Sequence, residues 1–260
     1  MKYIVDLDSA LEGAVERCTS SQATGILFSG GLDSSLIAKI YEDLNMEATL
    51  YSVAMPGSHD FEHIRGIEEF FKFDVKLREL AHEELEGYAR RVIAAIKNRD
   101  PLHVSIGIPF YAACEEAKSD GMKAILIGQG ADELFAGYHR YLRMPPEELE
   151  KSLVQDLEKL LQVDIKRDEA IARANELELK APYLDEELVN MALNIPIDLK
   201  IKGDVRKFIL REVAKRRGLP RGIIESKKKA VQYSTGVDKA LRKIAKQNKN
   251  SLREYLESLC

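Results

Sequence analysis

Tryptophan is absent from the 260 residues, and cysteine occurs only at Cys18, Cys114 and Cys260. Three widely spaced cysteines with no CxxC pair exclude a disulfide framework and a paired-thiol redox motif, and point to the reduced thiols of a cytoplasmic protein. No apolar run approaches the roughly 20 residues that a membrane span needs. The opening "MKYIVDLDSALEGAVERC" carries acids and no long apolar core, so no signal peptide is expected. The five histidines are scattered along the chain, and no zinc site is expected. Neither GxxxxGK[ST] nor GxGxxG occurs, so the two commonest phosphate-binding loops are missing. Internal repeats and low-complexity linkers are missing too.

What remains is an ordinary globular composition, 45% hydrophobic and 32% charged, with a net charge of −4. The length suits one large domain, or one domain with a helical extension. The overall charge gives no attraction to nucleic acid. It is unevenly spread, however: residues 201–260 hold 17 Lys+Arg against 6 Asp+Glu. Such a surplus is either a solvated face or a lid over an anionic ligand.

Apolar, β-branched runs at 24–28, 48–55, 74–80 and 123–128 predict three or four buried parallel strands. Helical patterns over Ser34–Asn45, Phe61–Phe71, His82–Lys97 and Ile108–Ser119 lie between them. The alternation predicts an α/β fold, a parallel sheet with helices on both faces. Pro146 opens a further helix, and from there the pattern is almost entirely helical, broken at Pro182, Pro196, Gly203, Gly218–Pro220 and Gly236. The expected plan is a single domain with an α/β part over 1–145 and a mainly helical part over 146–260 packed on it.

The stretch "LFSGGLDSS", Leu27 to Ser35, stands at a strand's carboxyl end and opens a helix. In open parallel sheets that is where ligands sit. Gly30 and Gly31 let the backbone approach a ligand, and the free N–H groups of the first helical turn make an anion seat. A carboxylate there, Asp33, makes sense when a cation such as Mg²⁺ lies between it and a phosphate. The plainer alternative is a Gly-Gly turn with Asp33 as a helix cap.

SGGLDSS resembles the pyrophosphate loop of the N-type ATP pyrophosphatases (the PP-loop superfamily, of adenine nucleotide alpha hydrolase-like fold). Further motifs narrow the resemblance. "YSVAMPGSHD" is similar to the adenine-holding segment of asparagine synthetases, "GQGADELFAGY" to their SGEGxDExFxGY signature, and "ELELKAPYLD" to LExRxPFLD. "KFILREVAKRRGLP" and "SKKKAVQYSTG" resemble their closing segments. The likeness runs in order from about Leu11 to about Ala245, and the chain resembles an asparagine synthetase-like synthetase domain.

That resemblance implies a ligase that adenylates a carboxylic acid with ATP and Mg²⁺, after which ammonia or an amine displaces AMP. ATP would be held by Phe28, Ser29, Gly30, Gly31, Leu32, Asp33 and Ser34, by the backbone around Val53, and by Gly128 and Gly130. Asp33 and Asp132 would be the metal ligands, and Lys228, or else Lys229, would neutralise charge at the α-phosphate. Residue by residue, plainer readings stay open: Asp132-Glu133 as an N-capping pair, and the lysine run as a solvated turn.

Two departures bear on the chemistry. Gln129 replaces the family's glutamate, and a carboxamide cannot take a proton at neutral pH; it orients or binds. No glutaminase part headed by a nucleophilic cysteine precedes the first motif, so ammonia is expected from solution or from a separate glutaminase subunit. Cys18 and Cys114 fall in helical patterns and are expected in the core. The rival functions are a tRNA-modifying PP-loop enzyme, which the missing CxxC disfavours, and a non-catalytic ATP-binding partner. The sequence leaves the acid, the amine and the assembly state open, a homo-oligomer included.

Overall fold

The computed structural model describes residues 2–19, 23–226 and 234–259. Its centre is a parallel five-stranded sheet of β1 (Thr24–Leu27), β2 (Thr49–Ala54), β3 (Asp74–Glu79), β4 (Ala124–Leu126) and β5 (Glu178–Lys180). The order across the sheet is β3-β2-β1-β4-β5. β1 pairs with β2 through Leu27↔Tyr51 and with β4 through Ile26↔Leu126, so the chain departs in opposite directions from these two central strands. The crevice between their carboxyl ends is the topological switch point, where such sheets bind ligands.

Alternation along the strands divides the core in two. Ile26, Phe28, Leu50 and Leu126 face one apolar layer, with helices Lys2–Cys18, Leu32–Asp43 and Phe208–Arg216. Tyr51, Val53, Ile125 and Ile127 face the other, with helices Leu85–Ile96, Pro101–Ser119 and Val237–Gln247. Strands buried on both faces cannot show polar alternation, which is why they read as continuous apolar runs. Each fully buried aliphatic side chain contributes about 1.5–3 kcal/mol.

The α/β expectation holds, with corrections at particular elements. The chain after residue 146 is not all helix: Glu178–Lys180 pairs with β4 as an edge strand, and Ile201–Lys202 pairs antiparallel with Val205–Arg206. The helix expected from Ile108 begins at Pro101, where the Asp100 carboxylate accepts from Leu102 N–H at 2.9 Å. The pattern over 61–71 is a helix at His59–Arg65, stopped at Gly66, and a 3₁₀ turn at Glu68–Phe70. The one over 82–97 starts with a 3₁₀ turn at His82–Glu84. Cys114 is fully buried as expected, whereas Cys18 ends its helix only half-buried. No helix among the described residues is long and apolar enough to cross a membrane.

Candidate active site

Three backbone segments meet at the switch point. The first follows β1. Gly30 adopts φ 69°, a left-handed conformation that glycine takes without strain, and its carbonyl lies 3.0 Å from His63 Nε2. Gly31 caps helix Leu32–Asp43 through its backbone alone, with no side-chain cap. The first-turn N–H groups are therefore not taken by a capping side chain, as an anion seat requires. Ser34 Oγ braces the loop from inside, accepting from Ser29 N–H at 3.2 Å and meeting Ser29 Oγ at 3.1 Å. Phe28 is pinned by its N–H to the Tyr51 carbonyl at 2.8 Å, and Leu32 is buried.

The second segment follows β4. Ile127 N–H donates to the Lys180 carbonyl at 2.9 Å, and Gly130 at φ 99° turns the chain into the short helix Ala131–Leu134. A Cβ on Gly128 would sit 3.2 Å from Asp33 Cβ and 3.3 Å from Ser34 N. The two loops touch there.

The third is the end of β2. The β1–β2 register stops at Tyr51, whose carbonyl faces β1, and Met55 N–H donates on that same side to the Thr235 carbonyl at 3.0 Å. Val53 lies between them on the strand, so its backbone groups face the crevice beyond the last rung.

Asp33 and Asp132, one from each central loop, converge on a single buried ammonium. Lys207 Nζ lies 2.7 Å from Asp33 Oδ2 and 2.8 Å from Asp132 Oδ1. Lys207 itself is 5% exposed and has φ 53°, just ahead of helix Phe208–Arg216. Burial lowers its pKa, and the Asp33 charge opposes that shift. Gly137 makes the close approach feasible: a Cβ there would stand 1.9 Å from Asp132 Oδ1 and 2.2 Å from Lys207 Cε. Tyr183 OH steadies the same corner by donating to the Asp33 carbonyl at 3.2 Å. Two carboxylates already sharing one cation are a hard-oxygen donor set of the kind Mg²⁺ takes. Among the described residues no group of three or more His, Cys, Asp or Glu side chains that could hold a metal ion occurs.

Asp132 therefore sits at an ion cluster, and Glu133 beside it is buried and receives the Tyr138 hydroxyl. Burial raises the Glu133 pKa. Gln129 is half-buried in the β4 loop and its Nε2 donates to Asp168 Oδ2. Lys228 and Lys229 lie outside the described residues. The structure thus brings Phe28 to Ser34, Val53, Gly128, Gln129, Gly130 and Asp132 to one crevice. Lys207, His63, Tyr183 and Asp168 were not singled out from the sequence. Lys207 and Tyr183 lie within quoted segments there, Lys207 as the first residue of "KFILR" and Tyr183 in "ELELKAPYLD".

A family model described as asparagine synthase matches residues 6–146 and 143–259. The putative asparagine synthetase (glutamine-hydrolyzing) 1 of Methanocaldococcus jannaschii is 37% identical over 97% of this chain and 54% of its own length. The asparagine synthetase (glutamine-hydrolyzing) of Sandersonia aurantiaca is 31% identical over 89% of this chain and 47% of its own. The chain thus spans about half the length of these curated relatives. A solved chain described as a predicted subunit of a tRNA methyltransferase from Methanocaldococcus jannaschii superposes with a TM-score of 0.34. It is 19% identical and covers 75% of this chain and 88% of that one. A likeness that loose carries no argument.

Proposed function

Because the chain belongs to the asparagine synthase family, we propose that it is an ATP-dependent, AMP-forming ligase that joins a carboxylic acid to ammonia or an amine. Aspartate or a related acid is the first candidate substrate. The acid's carboxylate attacks the α-phosphate, the α–β bond breaks, and pyrophosphate leaves. The nitrogen nucleophile then adds to the acyl carbon, AMP departs, and the amide remains.

The observation that carries this reading is the meeting of Asp33 and Asp132 on one cation position at the switch point. The uncapped start of helix Leu32–Asp43 supports it as a seat for the β- and γ-phosphates, held by Ser29 to Ser34. The Val53 backbone, facing the crevice past the end of the β1–β2 ladder, suits the edge of adenine. Asp33 and Asp132 would hold Mg²⁺, which supplies neutralisation of the pyrophosphate charge. Lys228, with Lys229 as the neighbouring choice, would neutralise charge at the α-phosphate, and Gln129 would orient the nucleophile. Ammonia would come from solution or from a glutaminase subunit.

The test is ATP–pyrophosphate exchange over a panel of carboxylic acids, aspartate first, followed by amide formation with ammonia. Exchange with one acid and its conversion to the amide is the expected result. No exchange with any acid overturns the reading.

A further inference from the structure

The residue in the β4 loop that departs from the family, Gln129, is held by a buried ion pair. Its Nε2 donates to Asp168 Oδ2. Asp168, 2% exposed, also accepts from Arg167 Nε at 2.8 Å and Arg167 Nη2 at 3.2 Å. Arg167, 6% exposed, donates in turn to Asp164 Oδ1 at 2.6 Å. These three residues follow or end a π turn, Leu160–Asp164, set between helices Pro146–Lys159 and Ile165–Ala174. Such turns shift helical register and recur at functional sites. Here the turn precedes a pair of charges that a surface helix would leave in water.

A carboxylate is an acceptor only, so whichever end of a carboxamide meets it must be the nitrogen. Burial pushes the Asp168 carboxyl up to about 6, against the opposing pull of Arg167, whose Nε and Nη2 donate to its two oxygens and hold both as acceptors. The charged groups facing it are Arg167 and Asp164, with the Cys114 thiol close by. The Gln129 amide is therefore locked with its nitrogen toward Asp168 and its Oε1 left as an acceptor. Among the described residues the Gln129 amide makes its one hydrogen bond through Nε2. Ammonia and primary amines bring N–H donors to that crevice.

We propose that Asp168, held by Arg167, is a positioning residue: it fixes the Gln129 amide so that Oε1 accepts an N–H of the nitrogen nucleophile and aims its lone pair at the acyl carbon. This rests on the ligase reading above. Gln129 takes no proton in this step. The nucleophile arrives neutral, and its surplus proton goes to solvent or to the departing AMP phosphate after the C–N bond forms. A glutamate at 129 would face Asp168 with like charge, so the local pair accounts for glutamine at this position.

The test exchanges donor and acceptor across the pair. Asp168→Asn lets the amide of Gln129 turn over, and KM for ammonia should rise at least tenfold, while KM for ATP and for the acid stays within about twofold. Gln129→Glu alone places two carboxylates in contact and should lower Tm. Gln129→Glu combined with Asp168→Asn restores one donor and one acceptor, and should recover both Tm and most of the ammonia KM. Three outcomes overturn the proposal: an unchanged ammonia KM in Asp168→Asn, an equal loss in pyrophosphate exchange and amide formation, or a double variant no better than the single ones. If wild type exchanges no pyrophosphate with any acid, the ligase reading fails and this proposal falls with it.

Discussion

Lys207 Nζ lies 2.7 Å from Asp33 Oδ2, a contact across 174 positions of sequence, and the same ammonium reaches Asp132 at 2.8 Å. Two loops with opposed chain directions are thus tied by one positive charge at the place where a ligand is expected. Lys207→Met would leave two carboxylates facing each other, which costs about 3 kcal/mol for a buried pair broken from one side. Millimolar Mg²⁺ should raise the Tm of Lys207→Met more than that of wild type, because the cation replaces the missing charge. Equal Mg²⁺ effects on both proteins would remove Asp33 and Asp132 as a metal pair.

Gly137 is a second point of tension. A methyl group there overlaps Asp132 Oδ1 and the Lys207 stem, so Gly137→Ala should lose about 1–3 kcal/mol of stability by overpacking. Its pyrophosphate exchange should fall with it. Gly222 in helix Arg221–Ile224 is the control, since nothing lies within 4 Å of its added Cβ. Gly222→Ala should be neutral or slightly stabilising. Equal melting temperatures for the two variants would contradict the packing at Asp132.

Lys200 offers a test by pH away from the site. It is 1% exposed, and burial lowers its pKa from 10.5 to about 8, with Glu150 opposing. Below pH 8 folded and unfolded chains both carry the charge, and the folded one bears the cost of burying it. Between about 8 and 10.5 the folded chain has lost that proton and the unfolded chain keeps it, so stability rises with pH across this window. The rise is bounded at about 3 kcal/mol. Lys200→Met should be the more stable protein at pH 7, and its advantage should shrink by pH 10. Parallel stability curves for the two proteins would contradict this.

Much of this architecture is legible in the residues themselves. β1 and its loop announce themselves through an apolar run ending in Ser29-Gly30-Gly31, and Asp132 follows a second such run. β5 does not, because Glu178-Leu179-Lys180 is short, charged and at a sheet edge, where only one neighbour must be satisfied. The start of helix Pro101–Ser119 had its signal in Asp100-Pro101, which the later apolar spacing from Ile108 obscures. Lys207 and Asp168 are harder still. Each is a charged residue within a basic or mixed run that reads as solvated. Lys207 is buried against a carboxylate 174 positions away, and Asp168, neutralised by its neighbour Arg167, meets the Gln129 amide from 39 positions away. Contacts at that range have no local pattern.

Adenylation of a carboxylic acid in this crevice, the step we propose, is measured alone by ATP–pyrophosphate exchange in wild type and Asp33→Asn. Asn is isosteric; it removes the charge facing the cation position and leaves Asp132 as the carboxylate partner of Lys207. Acid-dependent exchange is expected in wild type and at least a hundredfold loss in Asp33→Asn, with the variant still folded by circular dichroism. Exchange that survives undiminished in Asp33→Asn, or never occurs in wild type with any acid, would contradict it.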